Sequence, residues 1–121
     1  WPYSSICTDG TMKGHPRGHG SFPRVLGRYV REQKLMPLET AIQKMTSLAA
    51  ENAGIKNRGV IARGYFADLV LFDPNTIIDN ATIDNATALS TGVNRVWVNG
   101  KLVYSDQKPV MNFPGRFVRR D

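Results

Sequence analysis

The side chains with most chemistry in them crowd into the first twenty residues. Asp9 offers a carboxylate, His15 and His19 two imidazoles, Arg17 a guanidinium and Cys7 the only thiol. His15 and His19 stand four apart, which on a helix is metal-ligand spacing. Pro16 and Gly18 fall between them, so a loop is expected there, and neither histidine is assigned to a metal. Arg17 can grip a carboxylate with two parallel N–H donors, or bond a loop carbonyl or acid. Asp9 precedes Gly10, and Asp-Gly is a common turn pair. The residues alone favour a carboxylate that supports the turn over one that reacts. Cys7, beside it, is expected to be a buried, inert thiol.

These residues need elements to hold them. Tyr3 to Thr8 is short and β-compatible and ends at Asp9-Gly10, which predicts a strand with Asp9 at its C-terminal end. Gly10 to Gly20 holds four glycines and a proline, which predicts a loop. Ser21 can cap a helix with Pro23 in its first turn, and Phe22, Val25, Leu26, Tyr29 and Val30 repeat at helical spacing. Pro37 opens a second helix to about Met45, with Leu38, Ala41, Ile42 and Met45 inside. Thr46 or Ser47 caps a third helix, which ends at Gly54.

From Gly59 the pattern turns to strands. Leu69 to Phe72 is a continuous apolar run, as in a strand buried on both faces, and Asp73-Pro74 stops it. Asp79 to Thr87 repeats Asp-Asn-Ala-Thr around Ile83 and reads as a polar connection. Val93–Val98 and Lys101–Tyr104 flank Asn99-Gly100, a strong hairpin signal because both residues tolerate positive φ. The tail from Gln107 is expected to pack loosely.

The 121 residues carry a net charge of +6 and are 41% hydrophobic, enough for a core. The basic residues are spread along the chain without interleaved aromatics, so a solvated surface is expected and not a nucleic-acid platform. No apolar run approaches the length of a membrane span, and no secretory leader is visible. A single cysteine forms no internal disulfide and suits a reducing cytoplasm. A lone strand ahead of helices needs neighbours for its backbone groups. The chain, which starts at Trp1, therefore reads as a piece of something larger: an α+β fragment.

Several blocks carry a specific resemblance. Thr8-Asp9-Gly10, His15-Pro16-Arg17 and Ser21-Phe22-Pro23-Arg24-Val25-Leu26-Gly27 come first. Leu38 to Leu48, Arg58-Gly59-Val60-Ile61 and Gly64 to Pro74 follow, with Val96 to Gly100 and Pro114-Gly115-Arg116 at the end. In this order they resemble the C-terminal part of the N-acyl-D-amino-acid deacylases, or D-aminoacylases, of the amidohydrolase superfamily. The Gly-x-x-Ala-Asp-Leu-Val block with an Asn-Gly hairpin points to the superfamily; His-Pro-Arg and Phe-Pro-Arg-Val-Leu-Gly point to the deacylase branch. Thr8 stands where the family usually has Ser, and the loop after Gly10 is short compared with some members.

The resemblance implies the last βα unit of a (β/α)8 barrel with following helices in residues 1–58. It implies part of the small β-sandwich domain in 59–121, with the hairpin at 93–104. Asp9 would then end the eighth strand and carry a proton from metal-bound water to the leaving amine. Arg17 would face the substrate carboxylate. The cofactor would be zinc, with ligands mostly outside this chain, and the substrate a small N-acyl-D-amino acid. The fragment alone is expected to be inactive and to self-associate through uncovered apolar faces. Two rival readings are a related amidohydrolase acting on cyclic amides, of dihydroorotase or hydantoinase type, and a small basic binding module without catalysis.

Overall fold

A computed structural model describes residues 1–10 and 15–120. The expected Gly10–Gly20 loop therefore lies, at 11–14, outside the described residues. In chain order the elements are α1 (Arg17–Arg24), a π-helical segment (Val25–Glu32), α2 (Leu38–Met45), α3 (Ser47–Ala53) and strands β1 (Leu69–Phe72), β2 (Val93–Val98), β3 (Lys101–Ser105) and β4 (Lys108–Pro109). They fold as two compact units. One comprises Trp1–Ile6, Ile42–Leu71 and Asn94–Asp121; the other comprises Cys7–Ala41 and Phe72–Val93. No helix among the described residues is long and apolar enough to cross a membrane.

The first unit carries a four-stranded sheet in the order β1-β2-β3-β4. The β2–β3 hairpin pairs Val98 with Lys101 and Val96 with Tyr104, with a bulge between Val96 and Trp97. Asn99 and Gly100 take φ of 48° and 78°, the two left-handed positions of the tight turn that Asn-Gly predicts. A second turn, at Asp106 and Gln107, also has positive φ. It returns the tail to the sheet, pairing Ser105 with Lys108. The tail is thus partly ordered where loose packing was expected, because Gln107 carries no turn signal. β1 forms where the apolar run predicts, but it is not buried on both faces: Val70 and Leu71 are 57% and 49% exposed. Val70 and Leu71 point to opposite faces of the strand, so both faces are open to solvent there.

Residues 3–8 do not form the expected strand. A strand requires a partner ladder, and here the Tyr3 and Ser4 carbonyls accept from side chains instead. Lys44 donates to the oxygens of Trp1, Pro2 and Ser4, and Asn52 donates to that of Tyr3. Cys7 is accordingly exposed rather than buried, since no sheet sandwiches its side chain. α2 and α3 follow the sequence reading, and Gly54 ends α3 at φ 67°, where a Cβ would be strained. The Thr46 hydroxyl, however, donates back to the Ile42 carbonyl at 2.7 Å. It closes α2 instead of capping α3.

The second unit holds the buried apolar side chains. Val25, Leu26, Ala41, Ile77 and Ala81 are each under 9% exposed. Val25 and Leu26 belong to the predicted helical face, whereas Phe22 and Tyr29 sit at its margin, 38% and 36% exposed. The first helix begins at Arg17, not at Ser21, so the loop expected through Gly20 is helical in its last residues. Ser21 lies inside the helix, its hydroxyl donating to the Arg17 carbonyl at 2.7 Å. Pro23 also lies inside and removes one helical N–H. The wider π turn starts two residues later.

A polar junction fixes the first unit. Arg58 pairs with Asp68, donates to Asn99 Oδ1 at 2.8 Å and lies over the Phe66 ring, 4.2 Å from its centroid. The other Asp68 oxygen accepts the Asn99 N–H at 2.8 Å, and Asn99 Nδ2 reaches the Pro114 carbonyl at 2.7 Å. Hydrogen bonds to a charged group contribute about 1.5–3 kcal/mol each. Asp68→Ala should therefore destabilise the chain by about 2 kcal/mol. An unchanged thermal midpoint would show that the junction is ornamental.

Candidate functional site around Asp9 and Arg17

Asp9 adopts φ 46°, a left-handed conformation that aspartate tolerates better than most residues. The N–H of Gly10 donates to Thr8 Oγ1 at 3.2 Å. A Cβ on Gly10 would lie 3.1 Å from both Gly18 Cα and Thr8 Oγ1. A side chain here would press the first turn of α1 back by a few tenths of an ångström. This close approach sets the Asp9 carboxylate beside Arg17, with Oδ2 at 2.8 Å from a guanidinium nitrogen.

His15 organises the helix start. Its Nδ1 accepts the Arg17 N–H at 3.1 Å and its carbonyl the Gly18 N–H at 3.2 Å. These bonds satisfy donors that every helix start leaves without partners. His19 is carried on α1, where a loop was expected. Among the described residues no three His, Cys, Asp or Glu side chains are grouped to hold a metal ion. The described residues alone do not build a zinc site.

A cleft of about 470 Å³ adjoins Arg17 and is lined by His15, Ser21, Arg24, Asp79 and Ile83 among others. Arg24 donates to Asp79 Oδ2 at 2.8 Å, and the Asp79 side chain is only 6% exposed. The bond to Asp79, and after it one to Tyr29, holds the Arg24 guanidinium above the ordinary arginine value. Arg24 thus ties its helix to the segment that carries Asp79. Arg28 pairs at the surface with Glu32 at 3.4 Å. Arg31 donates to the carbonyls of Pro74 and Ile77 at 3.1 and 2.6 Å.

The Asp9–Arg17 pair is solvated, with side chains 76% and 49% exposed. Its contribution to stability is accordingly small. Its chemical capacity is larger. An exposed guanidinium at a cleft can receive a ligand carboxylate in two-pronged fashion, beside a carboxylate able to take and return a proton.

Sequence reasoning missed Asp79 and Lys44. Asp79 hid in the Asp-Asn-Ala-Thr tandem, whose two copies diverge in space. The first buries Asp79 and bonds Asn80 to Leu89 and Thr91, whereas Ile83 between the copies is 82% exposed. The pair Ile77-Ile78 just before it was the available signal.

Residues 5–104 match the profile of the Amidohydrolase family. This chain belongs to the Amidohydrolase family. The amidohydrolase chain is 51% identical over 107 residues to an N-acyl-D-glutamate deacylase of Alcaligenes xylosoxydans xylosoxydans, covering 88% of this chain and 22% of that protein. A crystal structure of a D-aminoacylase superposes with a TM-score of 0.86 at 48% identity, again over 88% of this chain and 22% of the other. An N-acyl-D-glutamate deacylase from Bordetella bronchiseptica, solved with zinc and a phosphonate inhibitor that mimics the tetrahedral intermediate, gives 0.76 at 50% identity. It covers 81% of this chain and 20% of its own. The chain thus spans about a fifth of the length of the relatives it matches.

The buried Asp79 depends on its cation. Arg24→Met should lower stability by about 2 kcal/mol, because it strands a carboxylate in a site largely closed to water. Adding Asp79→Asn should return most of that loss. Equal urea midpoints for the parent chain and the Arg24 variant would show the pair to be dispensable.

Proposed function

We propose that the whole protein hydrolyses the amide bond of N-acyl-D-amino acids, yielding a carboxylate and a D-amino acid. The observation that supports this most strongly is the identity to a named deacylase across 88% of the chain. The Asp9–Arg17 pair at a cleft adds to it. In this reading Arg17 meets the substrate carboxylate. Asp9 accepts a proton from the attacking water and delivers it to the amide nitrogen as the C–N bond breaks. The hydroxyl stays on the acyl carbon, and the amine leaves neutral before it takes up a further proton from solvent.

Zinc is the metal of the whole protein in this proposal, with ligands mostly outside this chain. Residues 1–58 belong to the last βα unit of its (β/α)8 barrel and the helices that follow. Residues 59–121 belong to its small β-sandwich domain, and its compartment is the cytoplasm. Exposed apolar side chains support self-association of the isolated chain: Val70 and Leu71 on the outer strand, Phe113 and Phe117 in the tail.

In the whole protein, Asp9→Asn should cut turnover by about 10²–10⁴-fold, the usual share of a general acid–base group, with zinc content little changed. Near-normal turnover sinks the assignment. The isolated 121-residue chain should show no deacylase activity with added zinc and should run as an oligomer in light scattering. A monodisperse monomer at high concentration would contradict the second expectation.

A further inference from the structure

Four consecutive backbone carbonyls near the start of the chain accept from side chains. Lys44 Nζ donates to Trp1 O at 2.7 Å and Ser4 O at 2.9 Å, with Pro2 O at 3.3 Å and Ser4 Oγ at 3.4 Å. Tyr3, the carbonyl that Lys44 skips, accepts from Asn52 Nδ2 at 3.2 Å. The Ser4 hydroxyl donates to Trp1 O at 3.0 Å, tightening the ring of acceptors. The clamp also runs in the other direction, because the Lys44 carbonyl accepts the Ile6 N–H at 3.0 Å.

An ammonium has three donors and no acceptor, so three converging carbonyls fill its hydrogen-bonding capacity. Ordering a lysine side chain costs about 1.5–2 kcal/mol of rotamer freedom. A lysine that served only to cover apolar surface would keep its charged head in water. Here the head is held by the backbone of one short segment, and Asp9 follows Ile6 by only three residues.

We propose that Lys44 is a positioning residue: its ammonium fixes the stem of the segment that delivers Asp9. Its catalytic importance rests on the proton-carrying role of Asp9 proposed above; the clamp itself does not. The Lys44 side chain touches no reacting atom. It acts through the carbonyls of Trp1, Pro2 and Ser4, which it holds together.

The clamp is tested in this chain by amide hydrogen exchange at Ile6. Lys44→Met keeps the apolar stem and removes the charge, and should speed exchange at Ile6 about ten-fold. Lys44→Arg keeps donors and charge and should hold protection near that of the parent, which separates loss of the clamp from loss of the fold. In Lys44→Ala, added ethylammonium chloride should restore protection, whereas tetramethylammonium, which has no N–H, should not. Unchanged exchange in the Met variant, or equal effects of the two salts, overturns the clamp.

In the whole protein, Lys44→Ala should lower kcat about ten-fold at unchanged KM, with recovery in ethylammonium. Lost Ile6 protection with unchanged kcat overturns the positioning role. Lost protection in a whole protein that hydrolyses no N-acyl-D-amino acid instead overturns the functional reading, and the positioning role with it, while the clamp stands.

Discussion

Every backbone carbonyl and N–H taken from water needs a partner, and in this chain side chains supply many of the partners that ladders would otherwise give. The Asp68 carboxylate is one such case. It takes Arg58 on one oxygen and the Asn99 N–H on the other, and Asn99 in turn holds the Pro114 carbonyl. A hairpin turn, the strand approach at 58–68 and the tail thereby meet at one charged group. None of the buried apolar side chains belongs to this unit, so polar bonds at fixed positions carry more of its specificity than core packing does.

The second unit solves its packing differently. A Cβ on Gly27 would meet the Ile77 carbonyl at 2.5 Å, and one on Gly20 would lie 2.9 Å from Asp79. Glycine seven residues apart makes one side of the helical segment smooth enough for residues 77–81 to lie close. Arg17, Arg24 and Arg31, also seven apart, reach Asp9, Asp79 and the carbonyls of Pro74 and Ile77. The arginines near the start, which read as a diffuse basic stretch, are therefore ties. Asp9 and Arg17 occupy one end of this row, and the same helical geometry that orders the packing presents the candidate site.

The corrections share a cause. The strand expected at residues 3–8 was argued from local β-compatibility, but a strand exists only with a neighbour to bond. Lys44 and Asn52, 40 and 49 residues away, took the carbonyls of Ser4 and Tyr3 instead. The helix start was placed at Ser21 because serine favours caps. It lies at Arg17 because His15 Nδ1 accepts the first free N–H, an interaction with no signature in a histidine flanked by proline. Burial of Leu69 to Phe72 was inferred from unbroken hydrophobicity, whereas Val70 on one face and Leu71 on the other stand in solvent.

Sequence alone determined what depends on neighbouring residues. The Asn99-Gly100 hairpin, the glycine stop at Gly54 and the helical stripe around Val25 and Leu26 follow from backbone sterics and periodicity within a few residues. The family followed from the order of its blocks. Tertiary structure decided what depends on distant partners: the Asp9–Arg17 pair, the burial of Asp79 under Arg24, and the capture of the Trp1, Pro2 and Ser4 carbonyls by Lys44. Such pairings join charges and hydrogen-bonding groups that only the folded backbone brings within 3 Å, and no local pattern encodes which of sixteen cations will meet which acid.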